Sequence, residues 1–148
     1  MEAIEIGGNV LLCAPEATRA AYRSFTPDLC GCSGCRNYRK ARSVVYQESA
    51  MKFFGQFGID PSKEAEIYTL GPVATTPNLM QYGGWFHFIG EIAKCGDRVE
   101  IGENLIIWFS NRPALAPPSF AGQTLVQVEL EAAVPWLLPE TWESGPHY

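Results

Sequence analysis

The chain is poor in histidine, in basic charge and in long apolar runs, and each shortage removes a class of function. There are two histidines, His87 and His147, and His147 stands next to the last residue. A cysteine hydrolase needs a base beside its thiolate and donors for a developing oxyanion. Only His87 lies inside a structured segment; Glu91, on the same strand face, is placed to orient it, and nothing in the spacing brings either to a cysteine. Lys and Arg number 11 against 16 Asp and Glu, for a formal charge of −5. Nucleic-acid binding rests on a concentrated basic footprint. The best candidate, Arg36, Arg39, Lys40 and Arg42, reads more simply as a solvated helix face, so a nucleic acid is not an expected partner.

No apolar stretch nears the roughly 20 residues of a membrane-spanning helix, so no membrane partner is expected. Met1-Glu2-Ala3-Ile4-Glu5 lacks the basic start and apolar core of a secretory signal, and the expected location is cytoplasmic. The glycines do not form a phosphate-binding loop, and Glu64, Glu66, Glu91, Glu129 and Glu131 form no distinctive glycosidase pair. Internal repeats and low-complexity tracts are absent.

What remains is rich in core-forming material. Of the 148 residues 47% are hydrophobic, with eight Phe, six Tyr and four Trp, enough to support one domain over residues 1–148. The chain holds five cysteines. In a reducing compartment an odd number argues for free thiols or a metal site over a disulfide framework.

Three of the five fall in Cys30-Gly31-Cys32-Ser33-Gly34-Cys35, ahead of a helix. Soft thiolates suit tetrahedral zinc, and the interval from Cys32 to Cys35 is that of a zinc knuckle. Cys13, His87 or Cys95 would have to supply a fourth ligand. Each also has a plainer reading: Cys13 as a small buried hydrophobe and His87 as a hydrogen-bonded structural histidine. Iron–sulfur binding lacks a second cysteine motif. Redox chemistry is the other alternative: Cys32 as nucleophile and Cys35 as resolving thiol, helped by the helix N-terminus and Arg36. Against it, the preceding residues do not make a thioredoxin-like strand, and Cys30 crowds the pair.

The pattern implies an α+β domain: a mostly antiparallel sheet of four or five strands, covered by one long helix and shorter ones. Residues 2–13 read as a hairpin about Gly7-Gly8, and residues 15–25 as a short helix opened by Pro15. Residues 35–57 read as one long helix, capped by Ser33 or Asn37, with Val44, Val45, Glu48 and Met51 on its inner face. Strands are expected near 66–70, 85–92, 97–101, 105–109 and 124–130, with an irregular loop from 114 to 122.

Trp85, Trp108, Trp136 and Trp142 could form an aromatic binding patch. Trp136, Trp142 and Tyr148 near the end of the chain are the expected partner-binding residues, for another protein or a second copy.

The cysteine segment through Tyr38, the stretch Phe53-Phe54-Gly55-Gln56-Phe57-Gly58-Ile59-Asp60, the run Tyr82-Gly83-Gly84-Trp85-Phe86-His87-Phe88-Ile89-Gly90-Glu91-Ile92 and Pro135-Trp136 together resemble a family of small uncharacterised bacterial proteins with a cysteine-rich segment before a central helix. The resemblance implies one intact α+β domain of bacterial or mobile-element origin. It carries over no catalytic residue and no cofactor. The functional expectation is a non-enzymatic accessory or interaction domain, with no cofactor or with a structural zinc; the enzyme alternative is thiol-dependent redox chemistry at Cys32 and Cys35.

Overall fold

Alternating side chains around Trp85 make the strand on which the rest of the chain assembles. In the computed structural model, which describes residues 1–76 and 78–142, this strand is β4, Leu79–Lys94. Before it come the hairpin β1 (Glu2–Ile6) and β2 (Asn9–Cys13), helices α1 (Pro15–Arg23), α2 (Ser33–Val45) and α3 (Glu48–Phe57), and β3 (Glu66–Pro72). After it come β5 (Val99–Glu100), β6 (Leu105–Ser110), a 3-10 turn at Pro118–Phe120 and β7 (Leu125–Pro135).

All strand pairs are antiparallel, in the order β1-β2-β4-β7-β6-β5, with β3 on the first half of β4. The fold is thus the expected α+β type. Its sheet has seven strands, more than four or five, because the N-terminal hairpin joins through β2 and the short β5 pairs with β6.

One face of the sheet is the core. Met80, Tyr82, Phe86 and Phe88 of β4, Val126, Val128, Leu130, Ala132 and Val134 of β7, and Leu105 and Ile107 of β6 are buried with helix residues Tyr38, Ala41, Ala50, Phe53, Phe54 and Phe57. Ring contacts fix the helix positions: Phe57 stacks on Phe88 at 4.6 Å, Phe54 meets Phe86 at 4.8 Å and Tyr38 meets Tyr82 at 4.9 Å. Such pairs add roughly 0.5–1.5 kcal/mol each beyond burial.

The single helix expected over 35–57 is two. Tyr46 leaves helical geometry (φ −99°, ψ 80°), and extended Gln47 starts α3. The buried Tyr46 hydroxyl lies 2.6 Å from that of Tyr38 and donates to Glu64 at 3.0 Å. Glu64 also takes both guanidinium bonds of Arg42. The break lets each helix turn its own apolar stripe inward. The stripe read from sequence is displaced accordingly: Val44 and Met51 are 46% and 50% exposed.

Gly58 ends α3 in the left-handed region at φ 79°. A Cβ there would stand 2.2 Å from the Pro15 carbonyl oxygen. Gly58→Ala is expected to destabilise the fold by about 1–3 kcal/mol or more. Urea unfolding measures this; an unchanged midpoint would contradict the packing of α3 on the start of α1.

Burial also raises the phenol pKa of Tyr22, Tyr38, Tyr46 and Tyr82, the last to about 12. The folded protein therefore keeps protons that the unfolded chain loses above pH of about 10. Stability from these groups is intact below that value and falls as pH rises beyond it. Tyrosinate absorbance should lag in the folded protein and appear together with loss of near-ultraviolet circular dichroism. Titration of all six tyrosines near pH 10 in folded protein would be the contrary result.

Candidate metal centre

The cysteine segment has no regular structure before Cys32, which is extended (φ −66°, ψ 158°) and is the N-cap of α2, in place of Ser33 or Asn37. The Cys35 amide donates to Cys32 Sγ at 3.4 Å, and the Cys32 amide donates to Cys30 Sγ at 3.5 Å. Backbone donors aimed at sulfur favour the thiolate, the form that binds metal. The three Sγ atoms all lie within 4.8 Å of one another.

The same helix turn is held from four directions. Gly34 sits so close to β3 that a Cβ would lie 2.7 Å from Thr69 Cγ2. The Tyr82 hydroxyl donates to the Gly34 carbonyl at 2.6 Å. Asn37 donates to the Pro135 carbonyl at 3.1 Å and accepts from the Leu137 amide at 2.7 Å. Arg36 binds the Gly31 carbonyl and, through two bonds, Glu140, while Arg39 binds the Cys30 carbonyl. The basic run is therefore more than a solvated face. Three of its members hold this region together, Arg36 and Arg39 at the cysteine loop and Arg42 at Glu64.

The thiols are electrically unequal. The Cys30 pKa is lowered, first by the Cys32 amide and then by the Cys32 thiol, with Arg39 adding to it. The Cys35 pKa is pushed up by burial and by the two neighbouring sulfurs. Cys30 and Cys35 line a cleft of about 420 Å³ whose walls also include Asp28, Arg39, Ile67 and the buried Glu64.

The structure does not bring the expected fourth ligands to this group. Cys13 is wholly buried in β2, where it pairs with Glu2 and Gly90. His87 is buried on β4, its Nε2 3.1 Å from Gln127 Oε1. Gln127 Oε1 also accepts the Ala114 amide, and the buried His87 Nδ1 has no hydrogen-bond partner among the described residues. Cys95 is exposed just beyond β4. The reason is topological: β2 and β4 carry these residues on the sheet, while the triad sits at the mouth of α2. Among the described residues, Cys30, Cys32 and Cys35 alone group as a metal-ligand set.

Comparison with family models, curated proteins and solved structures returns no match. Three thiols this close can bind a thiophilic cation, or two can form a disulfide with loss of two electrons and two protons to an external oxidant.

Trp136 and Trp142 pack against the core, and the Trp136 indole donates to the Glu140 carbonyl. Tyr148 lies outside the described residues. No helix among the described residues is long and apolar enough to cross a membrane.

In reduced, metal-free protein, alkylation should proceed fastest at Cys30, which is exposed and acidified, and slowest at buried Cys13. Peptide mapping at increasing times measures the order. Early labelling of Cys13 in folded protein would contradict it.

Proposed function

We propose that this protein is a non-enzymatic accessory domain that binds another protein or a second copy of itself, with the start of α2 clamped by a structural zinc on Cys30, Cys32 and Cys35. The observation that carries the zinc reading is the triad itself: three sulfurs within 4.8 Å, two of them facing backbone amides. Tetrahedral zinc with bonds of about 2.3 Å sets its sulfurs about 3.8 Å apart, so a small contraction of the loop closes the site. The fourth position is left to water or to a ligand from outside the triad.

An open position alone would suit a catalytic zinc. Three thiolates, however, more than neutralise the dication and weaken it as a Lewis acid. The redox reading takes Cys32 as nucleophile and Cys35 as resolving thiol; the lowered pKa of Cys30 and the raised pKa of Cys35 favour Cys30 as the attacking sulfur in place of Cys32. Zinc and oxidation compete for the same sulfurs, so the two readings separate by experiment. Free thiols in the triad fit a reducing, cytoplasmic location.

Purified without added metal, the protein should carry about one zinc per chain by elemental analysis. Cys32→Ser and Cys35→Ser should each lose the metal and lower the thermal midpoint by on the order of 10 °C. Zinc-free wild-type protein whose variants melt unchanged would overturn the clamp. Reversible oxidation of the triad at a potential near that of the cytosolic thiol pool would favour the redox reading instead.

A further inference from the structure

The helices cover one face of the sheet; the pairing registers show what stands on the other. One row across it reads Glu100, Ile106, Glu131, Gly83, Tyr68. In the next row Trp108, Glu129, Trp85 and Glu66 are paired in turn, with Arg98 stacked on the Trp108 end. Aromatic rings and carboxylates thus alternate across this second row. Tyr68 is 41% exposed and neighbouring Leu70 is 55% exposed. Trp85, Trp108, Glu66, Glu129 and Glu131 are all partly accessible.

Gly83 gives the tray its shape. A Cβ there would fall 2.6 Å from the Tyr68 ring, so the phenol lies flat across the glycine. It ends 6.1 Å from the Trp85 ring, edge to face. The Trp85 indole is fixed in turn by its bond to the Ala114 carbonyl. These are rigid, prepositioned aromatic surfaces, the groups that carry much of the energy in protein interfaces.

The chain itself supplies an example of what such a surface takes. Arg98 places its guanidinium carbon 4.0 Å from the centre of the Trp108 ring, with Glu129 the strand partner of Trp108. On the far side of Glu129 stand Trp85 and Tyr68, over which no cation stacks among the described residues. The row is therefore filled at one end and open at the other.

We propose that this face docks an arginine-bearing, basic segment of a partner protein, with a guanidinium over Trp85 and Tyr68 and paired to Glu66, Glu129 or Glu131. The proposal rests on reading the protein as an interaction domain, and not on the zinc clamp. Four carboxylates, Glu66, Glu100, Glu129 and Glu131, against the one guanidinium of Arg98 give the charge complementarity. Arginine is favoured over lysine because its planar cation both stacks and pairs with a carboxylate through two bonds.

The test is titration of the protein as purified with a capped peptide of alternating arginine and serine, read by tryptophan fluorescence, beside lysine–serine and glutamate–serine counterparts. The arginine peptide should bind several-fold more tightly than the lysine peptide. Glu66→Gln with Glu131→Gln should weaken it about five- to tenfold, and Tyr68→Leu should erase most of the arginine preference. Both are substitutions at accessible positions, and circular dichroism checks that each variant folds. Equal binding of arginine and lysine peptides, unmoved by either variant, would overturn the assignment of the face. Binding of the glutamate peptide alone would overturn it and keep an interaction domain of opposite preference. Binding of no peptide would overturn the assignment of this face to a basic segment.

Discussion

The attachment of the first turn of α2 to the sheet is the constraint on which the cysteine site depends. The Tyr82 hydroxyl reaches the Gly34 carbonyl, and Asn37 bridges the end of β7 to residue 137. Both are wholly buried, so each bond replaces one that water would otherwise make, and leaving either group unpaired would cost on the order of 1–3 kcal/mol. Gly34 completes the arrangement because no side chain holds the helix away from Thr69. With that turn fixed, Cys32 and Cys35 cannot drift apart, and the Arg36 and Arg39 bonds draw Cys30 onto them. The loop is ordered by contacts that involve no metal, so a cation would meet ligands already gathered.

The sheet separates two kinds of surface through the two-residue period of its strands. One side gives up its aromatic and aliphatic side chains to the helices. The other holds aromatics and carboxylates in reach of water from Tyr68 to Trp108, and is covered where His87 and Gln127 pack under Phe120. Glycine is needed on both counts: Gly34 admits a helix to the inner side, and Gly83 admits the Tyr68 ring to the outer one. Near the cleft, Arg42, Glu64, Tyr46 and Tyr38 form a buried polar chain that ends α2 and leaves a new direction for α3. The acid in that chain has its partners, so its burial is compatible with a stable core.

Much of this was legible in the residues. The strand over 85–92 is legible, with His87 and Glu91 on one face, and the glycine pair marks the N-terminal turn, where Gly7 and Gly8 have φ of 57° and 78°. The cysteine triad was legible as a group because its members are near in sequence. What escaped was whatever depends on distant partners. The break at Tyr46 is set by Glu64, eighteen positions away, and nothing in the local helical period marks it. Cys13, His87 and Cys95 are ligands by residue type alone, and strand topology places them away from the triad. The register of β3, β4, β7 and β6, which no local pattern reveals, is what assembles Tyr68, Trp85 and Trp108 into one face.

The claim that the three cysteines act together as a thiolate clamp can be tested at the metal. X-ray absorption at the zinc edge of the purified protein should show a first shell dominated by three sulfurs at about 2.3 Å, with one lighter scatterer. A shell made only of oxygen and nitrogen, or zinc unchanged when Cys35 is replaced by serine in a folded protein, would contradict it.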